Sequence, residues 1–94
     1  MDRWEPPHDP NETETRPIDF SERLGEGETV LSATWTSAPA GLTQVSASVS
    51  ADGTEALWKF SGGTDGVDYE VLCRATTSLA HVLEETIVLR CRAR

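Results

Sequence analysis

The sequence predicts an all-β protein, a small antiparallel β-sandwich preceded by an extended N-terminal arm. Three observations carry that prediction. From Pro17 onward apolar residues recur at spacing two rather than at helical spacing. Glycine-containing turn signals separate the runs. Before Pro17 the chain is rich in proline and holds Trp4 as its one large apolar side chain.

Each element follows from its residues. Met1 to Arg16 contains Pro6, Pro7 and Pro10. It has too little apolar surface to repay the entropy of ordering, so residues 1–16 are expected as an extended or disordered acidic arm and residues 17–94 as the sandwich domain. Ile18 and Phe20 alternate with polar neighbours in a short first strand ending near Gly25-Glu26-Gly27. The next strand spans Glu28 to Thr36, with Leu31, Ala33 and Trp35 on one face and Val30, Ser32 and Thr34 on the other. Leu42 to Ser50 reads as one or two strands with an exposed face. Asp52-Gly53 is a hairpin signal of the type I′ kind, pairing Val45–Ser50 with Glu55–Ser61 and turning Trp58 and Phe60 inward. Tyr69, Val71 and Cys73 alternate with Asp68, Glu70, Leu72 and Arg74, and Leu89 and Cys91 in the last strand with Val88, Arg90 and Arg92. Thr77 to Glu85, between those two strands, reads either as a helical turn capped by Ser78 or as a long hairpin loop. The expected core is thus Phe20, Trp35, Trp58, Phe60, Tyr69, Val71 and Leu89.

Charge bounds the function. The chain has 94 residues, with 16 acidic and 8 basic, for a formal charge of −8. That is one domain, burying roughly 60% of its unfolded surface, too small for a cofactor cavity with a substrate lid. The excess acid and the lack of a basic stripe exclude nucleic-acid binding as a primary role. No run approaches the roughly 20 apolar residues of a membrane-spanning helix, and the first residues have no apolar leader segment. Residues 1 to 28 carry nine acids against three arginines, a net of −6, and the rest carry −2. Arg90, Arg92 and Arg94 recur at spacing two near the other end, on one face if extended. A head-to-tail contact between copies would join the acidic front of one to these arginines of the next. The candidate interaction residues are therefore Arg3, Trp4 and His8 in the arm and Arg90, Arg92 and Arg94 at the end. Trp4 either docks in a neighbour's groove or folds back on its own domain.

Chemistry finds little support. If the last two strands turn about residue 82, Cys73 faces Cys91, within reach of a disulfide. Two reduced core thiols are the preferred reading, since nothing signals export. Two thiols alone fall short of a tetrahedral metal set. His8 and His81 have no nucleophile partner, and the acid pairs Glu84-Glu85 and Asp65 with Asp68 are too few to hold calcium. No cofactor and no enzyme activity are expected.

The stretch GTDGVDYEVLCRATTS resembles the approach to the sixth strand of immunoglobulin-like and fibronectin type III domains. The resemblance implies Tyr69 at a sandwich corner, its hydroxyl bonded to backbone a few residues upstream. The longer pattern PIDFSERLGEGETVLSATWTSAPAGLT, then TEALWKFSGGTDGVDYEV, then RATTS resembles a family of small bacteriophage virion proteins, the fibre-tail adaptors. Its distinctive pieces are Asp19 before Leu24-Gly25, Thr34-Trp35-Thr36, and Trp58 followed by Ser61-Gly62-Gly63-Thr64. Relatives often have a Gly-Arg turn where Ser78-Leu79-Ala80-His81-Val82 stands here. The resemblance implies a non-enzymatic structural protein, made in the host cytoplasm and placed in the virion tail or neck. Several copies would link tail fibres to the tail, with the fibre, a tail-tube or neck protein and neighbouring copies as partners. The alternative is an immunoglobulin-like module that recognises a carbohydrate or protein surface.

Overall fold

In a computed structural model, which describes residues 2–94, seven strands form two sheets packed face to face. They are β1 (Asp2–His8), β2 (Thr13–Asp19), β3 (Val30–Ala38), β4 (Leu42–Val49), β5 (Glu55–Gly62), β6 (Asp68–Thr77) and β7 (Val82–Cys91). One sheet has the order β1-β7-β6-β3 and the other β2-β5-β4. This is the immunoglobulin arrangement with its first strand laid parallel along the last. The β1–β7 pair is parallel, and the other strand pairs are antiparallel.

The expected arm is corrected for the described residues 2–16: they supply β1 and most of β2, the edge strands of the two sheets. Met1 lies outside the described residues. Ordering is repaid because Trp4 and His8 are the inward residues of β1, and Arg16 and Ile18 those of β2. The prolines fit edge positions, where a missing N–H leaves no ladder bond unmade. Pro6 and Pro7 fall in the stretch where the β1–β7 register breaks, between Trp4↔Leu89 and His8↔Cys91.

The core joins both sheets. Phe20, Trp35, Trp58, Phe60, Tyr69, Val71 and Leu89 are all buried, with Trp4, Ile18, Val30 and Ile87 beside them. Trp35 stacks on Trp58 at 5.3 Å between ring centroids and 7° between planes, and Trp58 meets Phe60 at 4.7 Å. Trp4 closes the group, parallel to Phe60 within 7° at 5.9 Å. The Tyr69 hydroxyl accepts the Thr64 N–H at 2.9 Å, and the Tyr69 ring lies beneath Gly41 and Gly63, where a Cβ would come within 2.6 Å of the Tyr69 hydroxyl and the Cys91 sulfur respectively.

Three local expectations are corrected. The pairing of β3 with β6 shifts between Val30 and Ser32. A bulge reverses the alternation, so Val30 and Trp35 both point inward while Leu31 is 63% exposed. At the β4–β5 turn only Gly53 has positive φ (+74°). Asp52 instead accepts bonds from the Ser50 and Thr54 hydroxyls and the Thr54 N–H, which closes a wider loop than type I′. Thr77 to Glu85 is neither helix nor long loop. The Thr77 N–H bonds the His81 carbonyl, Ala80 takes φ +63°, and β7 begins at Val82.

Candidate assembly surface

Early closure of that hairpin moves the register of β6 against β7. Cys73 lies opposite Glu85 and Trp35, and Cys91 opposite His8, so the expected facing of Cys73 and Cys91 is corrected. Both are free, buried thiols. Burial pushes the Cys73 thiol up to about 12, and burial raises Cys91 too, so neither is a thiolate at neutral pH.

The arginines do not form one free face, because β7 ends at Cys91 and Arg92 and Arg94 lie beyond the strand. Arg90 donates to both Glu5 carboxylate oxygens at 2.9 and 3.0 Å. Arg92 donates to Asp68 at 3.1 Å, and Arg94 to Glu12 at 2.9 Å and to the Pro7 carbonyl. Arg3 lies 3.7 Å from Glu5. The head-to-tail complement expected between copies is therefore met within one chain, because β1 beside β7 brings the acidic front to the arginine end. Trp4 and His8 are also corrected as interaction residues. Trp4 is 6% exposed and donates its indole N–H to the Pro17 carbonyl at 2.8 Å; His8 is fully buried.

His8 belongs to a cluster that hydrophobic patterning cannot reveal. One ring nitrogen meets Glu14 and the other the Gly62 carbonyl, and Arg16 donates to Glu14 and to the Pro6 carbonyl. Burial pushes the Glu14 carboxyl up, but hydrogen bonds from Arg16 and His8 outweigh it and hold the group below the usual carboxylate range. A second cluster ties the Gly25–Gly27 turn to the β6–β7 hairpin. Glu28, buried, accepts from the Gly25 N–H at 2.8 Å, the Thr77 hydroxyl and the His81 ring at 2.9 Å. The Gly25 amide, then the Thr77 hydroxyl, hold its carboxyl below the usual range.

The seam between edges β1 and β2 is open to solvent, stitched by Trp4 to Pro17 and Arg16 to Pro6. Two hollows lie along it. One, of about 530 Å³, is lined by Glu5, Glu12, Glu14, Arg16 and Arg94. The other, of about 470 Å³, sets Asp2, Asp19, Glu22 and Glu85 against the single cation Arg23, which is itself bound to Glu85 at 2.8 Å. Among the described residues no group of three His, Cys, Asp or Glu is arranged to hold a metal, and no helix is long and apolar enough to cross a membrane.

A closed sandwich whose buried His8, Arg16 and Glu28 are engaged within the chain, and whose open features are strand edges and a charged seam, has the make-up of a small structural protein. Comparison with known families gives the particular class. The chain belongs to the family described as podophage GP4 fiber-tail adaptor protein gp77, which matches residues 8–90. No curated protein matches it. The family assigns a structural adaptor role, which is not an enzyme class, a place in the virion tail, and other virion proteins as partners.

Proposed function

We propose that this protein connects tail fibres to the tail or neck of a podophage virion, in several copies, after synthesis in the host cytoplasm. The family match over residues 8–90 carries the reading. The seam between β1 and β2 supports a division of labour: its acidic hollow, four carboxylates against Arg23, suits a basic segment of a tail or fibre protein. Catalysis has no support in the buried clusters, where each carboxylate is already engaged by hydrogen-bond donors of its own chain.

The test is particle assembly with the gene supplied in trans. Electron microscopy of particles carrying the labelled protein is expected to show density at the tail, each copy touching a fibre. Glu22→Lys, on the exposed rim of the acidic hollow, is expected to lower fibre occupancy while the purified protein keeps its melting temperature. A protein absent from finished particles, or fibres attached normally without it, would overturn the proposal.

A further inference from the structure

The four sheet edges are not protected alike. β1 carries Asp2, Arg3, Glu5, Pro6 and Pro7, and β2 carries Glu14, Arg16, Pro17 and Asp19. Charges and prolines on edge strands prevent pairing with other chains. The opposite edges, β3 and β4, carry neither. From Thr29 to Ala51 there is no Asp, Glu, Lys, Arg or His, in a chain that is 26% charged. Within that stretch β4 is the open strand: Thr43 to Ser48 are all exposed, on both faces, and Val45 at the register shift is 51% exposed. A shallow groove beside it, lined by Leu31, Ala33, Ala47 and Val49, continues the neutral surface onto β3.

We propose that β4 pairs antiparallel with β4 of a second copy, so that two three-stranded sheets join into one of six strands about a two-fold axis. Charge selects the occupant. At −8 the chain repels a second copy wherever acidic surfaces meet. The β3–β4 flank is the side on which two copies touch with no ionised group on either edge strand and with their acidic seams directed away, the exposed Lys59 opposite Ser46 lying one strand in from the contact. Composition also fits a strand that meets itself. β4 reads LTQVSASV, so a two-fold pair sets small hydroxyl and methyl side chains opposite one another, with Ser46 near the middle. An isologous contact of this kind closes on itself and leaves both β1–β2 seams free. This goes beyond the adaptor reading and does not depend on it.

Sedimentation equilibrium of the full chain over a concentration series tests the pairing. The wild type is expected to show a monomer–dimer equilibrium, and Ser46→Lys and Ser46→Glu are each expected to weaken it by about tenfold or more, since either puts like charges opposite each other. The two variants together separate local pairing from overall charge: less net negative charge in the first would strengthen, and more in the second would weaken, any association driven by charge alone. Thr15→Lys and Thr15→Glu on β2 serve as controls, as both positions are exposed on edge strands. Hydrogen exchange on the wild type should show β4 amides protected as concentration rises. A chain that stays monomeric at about millimolar concentration, or Ser46 variants that shift the equilibrium in opposite directions, would overturn the proposal, and a monomer would leave the family membership untouched.

Discussion

Replacing Trp4 with alanine tests whether the N-terminal strand is structural. Trp4 is 6% exposed and touches three aromatic partners: Phe60 at 5.9 Å, Trp35 at 6.1 Å and Trp58 at 6.5 Å. Truncating a buried Trp to Ala costs about 3 to 5 kcal/mol, and the lost bond to Pro17 adds roughly 1 kcal/mol at a seam that water reaches from its hollows. At roughly 0.05 to 0.15 kcal/mol per residue, a chain of this length has about 5 to 14 kcal/mol of total stability. Trp4→Ala should therefore remove about 30% or more of it. Trp4→Phe keeps the stack on Phe60 and loses the N–H, so its cost should be nearer 1 kcal/mol. Urea unfolding followed by far-UV circular dichroism at pH 7 measures both, with the slope unchanged if the native fold persists. A loss below about 1 kcal/mol for Trp4→Ala would refute the docking of β1 and restore the picture of a free arm.

Deleting residues 1–16 removes β1 and most of β2 and should abolish cooperative thermal unfolding, read by calorimetry. Glu28 and Glu14 have folded pKa values below the ordinary 4.5, so the stability they contribute is present above pH 4.5 and lost as pH falls through their folded values. The melting-temperature gap between wild type and Glu28→Gln should accordingly narrow below pH 4.5, and a gap that is constant with pH would refute the role of Glu28. Ala80 holds φ +63° in the β6–β7 turn, so Ala80→Gly should stabilise by about 0.5 to 1 kcal/mol in the same urea assay. Native Cys73 and Cys91 should resist thiol reagents at pH 7 until the protein unfolds, and a reductant should leave the melting temperature unchanged.

The strands that announce themselves in sequence are those whose inward positions are apolar. β5 and β6 place Ala56, Trp58 and Phe60, and Tyr69, Val71, Cys73 and Ala75, on the buried face, so alternation and orientation coincide. β2 hides because its inward face begins with Glu14 and Arg16, which count as polar until the ion pair and His8 are seen. β1 hides because only Trp4 and His8 point inward, at a spacing of four that the irregular register at Pro6 and Pro7 produces. The β6–β7 register hides for a related reason. A turn with a left-handed position usually advertises itself with glycine, and here Ala80 occupies it, so the pattern alone points to a reversal near residue 82 and sets Cys73 opposite Cys91.

Locking the first strand into the fold also changes how partners can be held. A free acidic arm would bind by folding onto a neighbour, and its ordering entropy would be charged against affinity. Here that cost is met within the chain, by Trp4 in the core and by Glu5 and Glu12 on Arg90 and Arg94. Exposed pairs of this kind contribute about 0 to 1 kcal/mol each, so they align the two ends of the chain more than they stabilise it. Their larger effect is on the surface. They take Arg90 and Arg94 out of circulation and leave Asp2, Asp19 and Glu22 to set the sign of the seam, while the strands β3 and β4 carry no charge. A preformed, two-sided sandwich binds without folding first. Attachment to the virion should then be limited by surface complementarity, with little change in secondary structure between the free and assembled states.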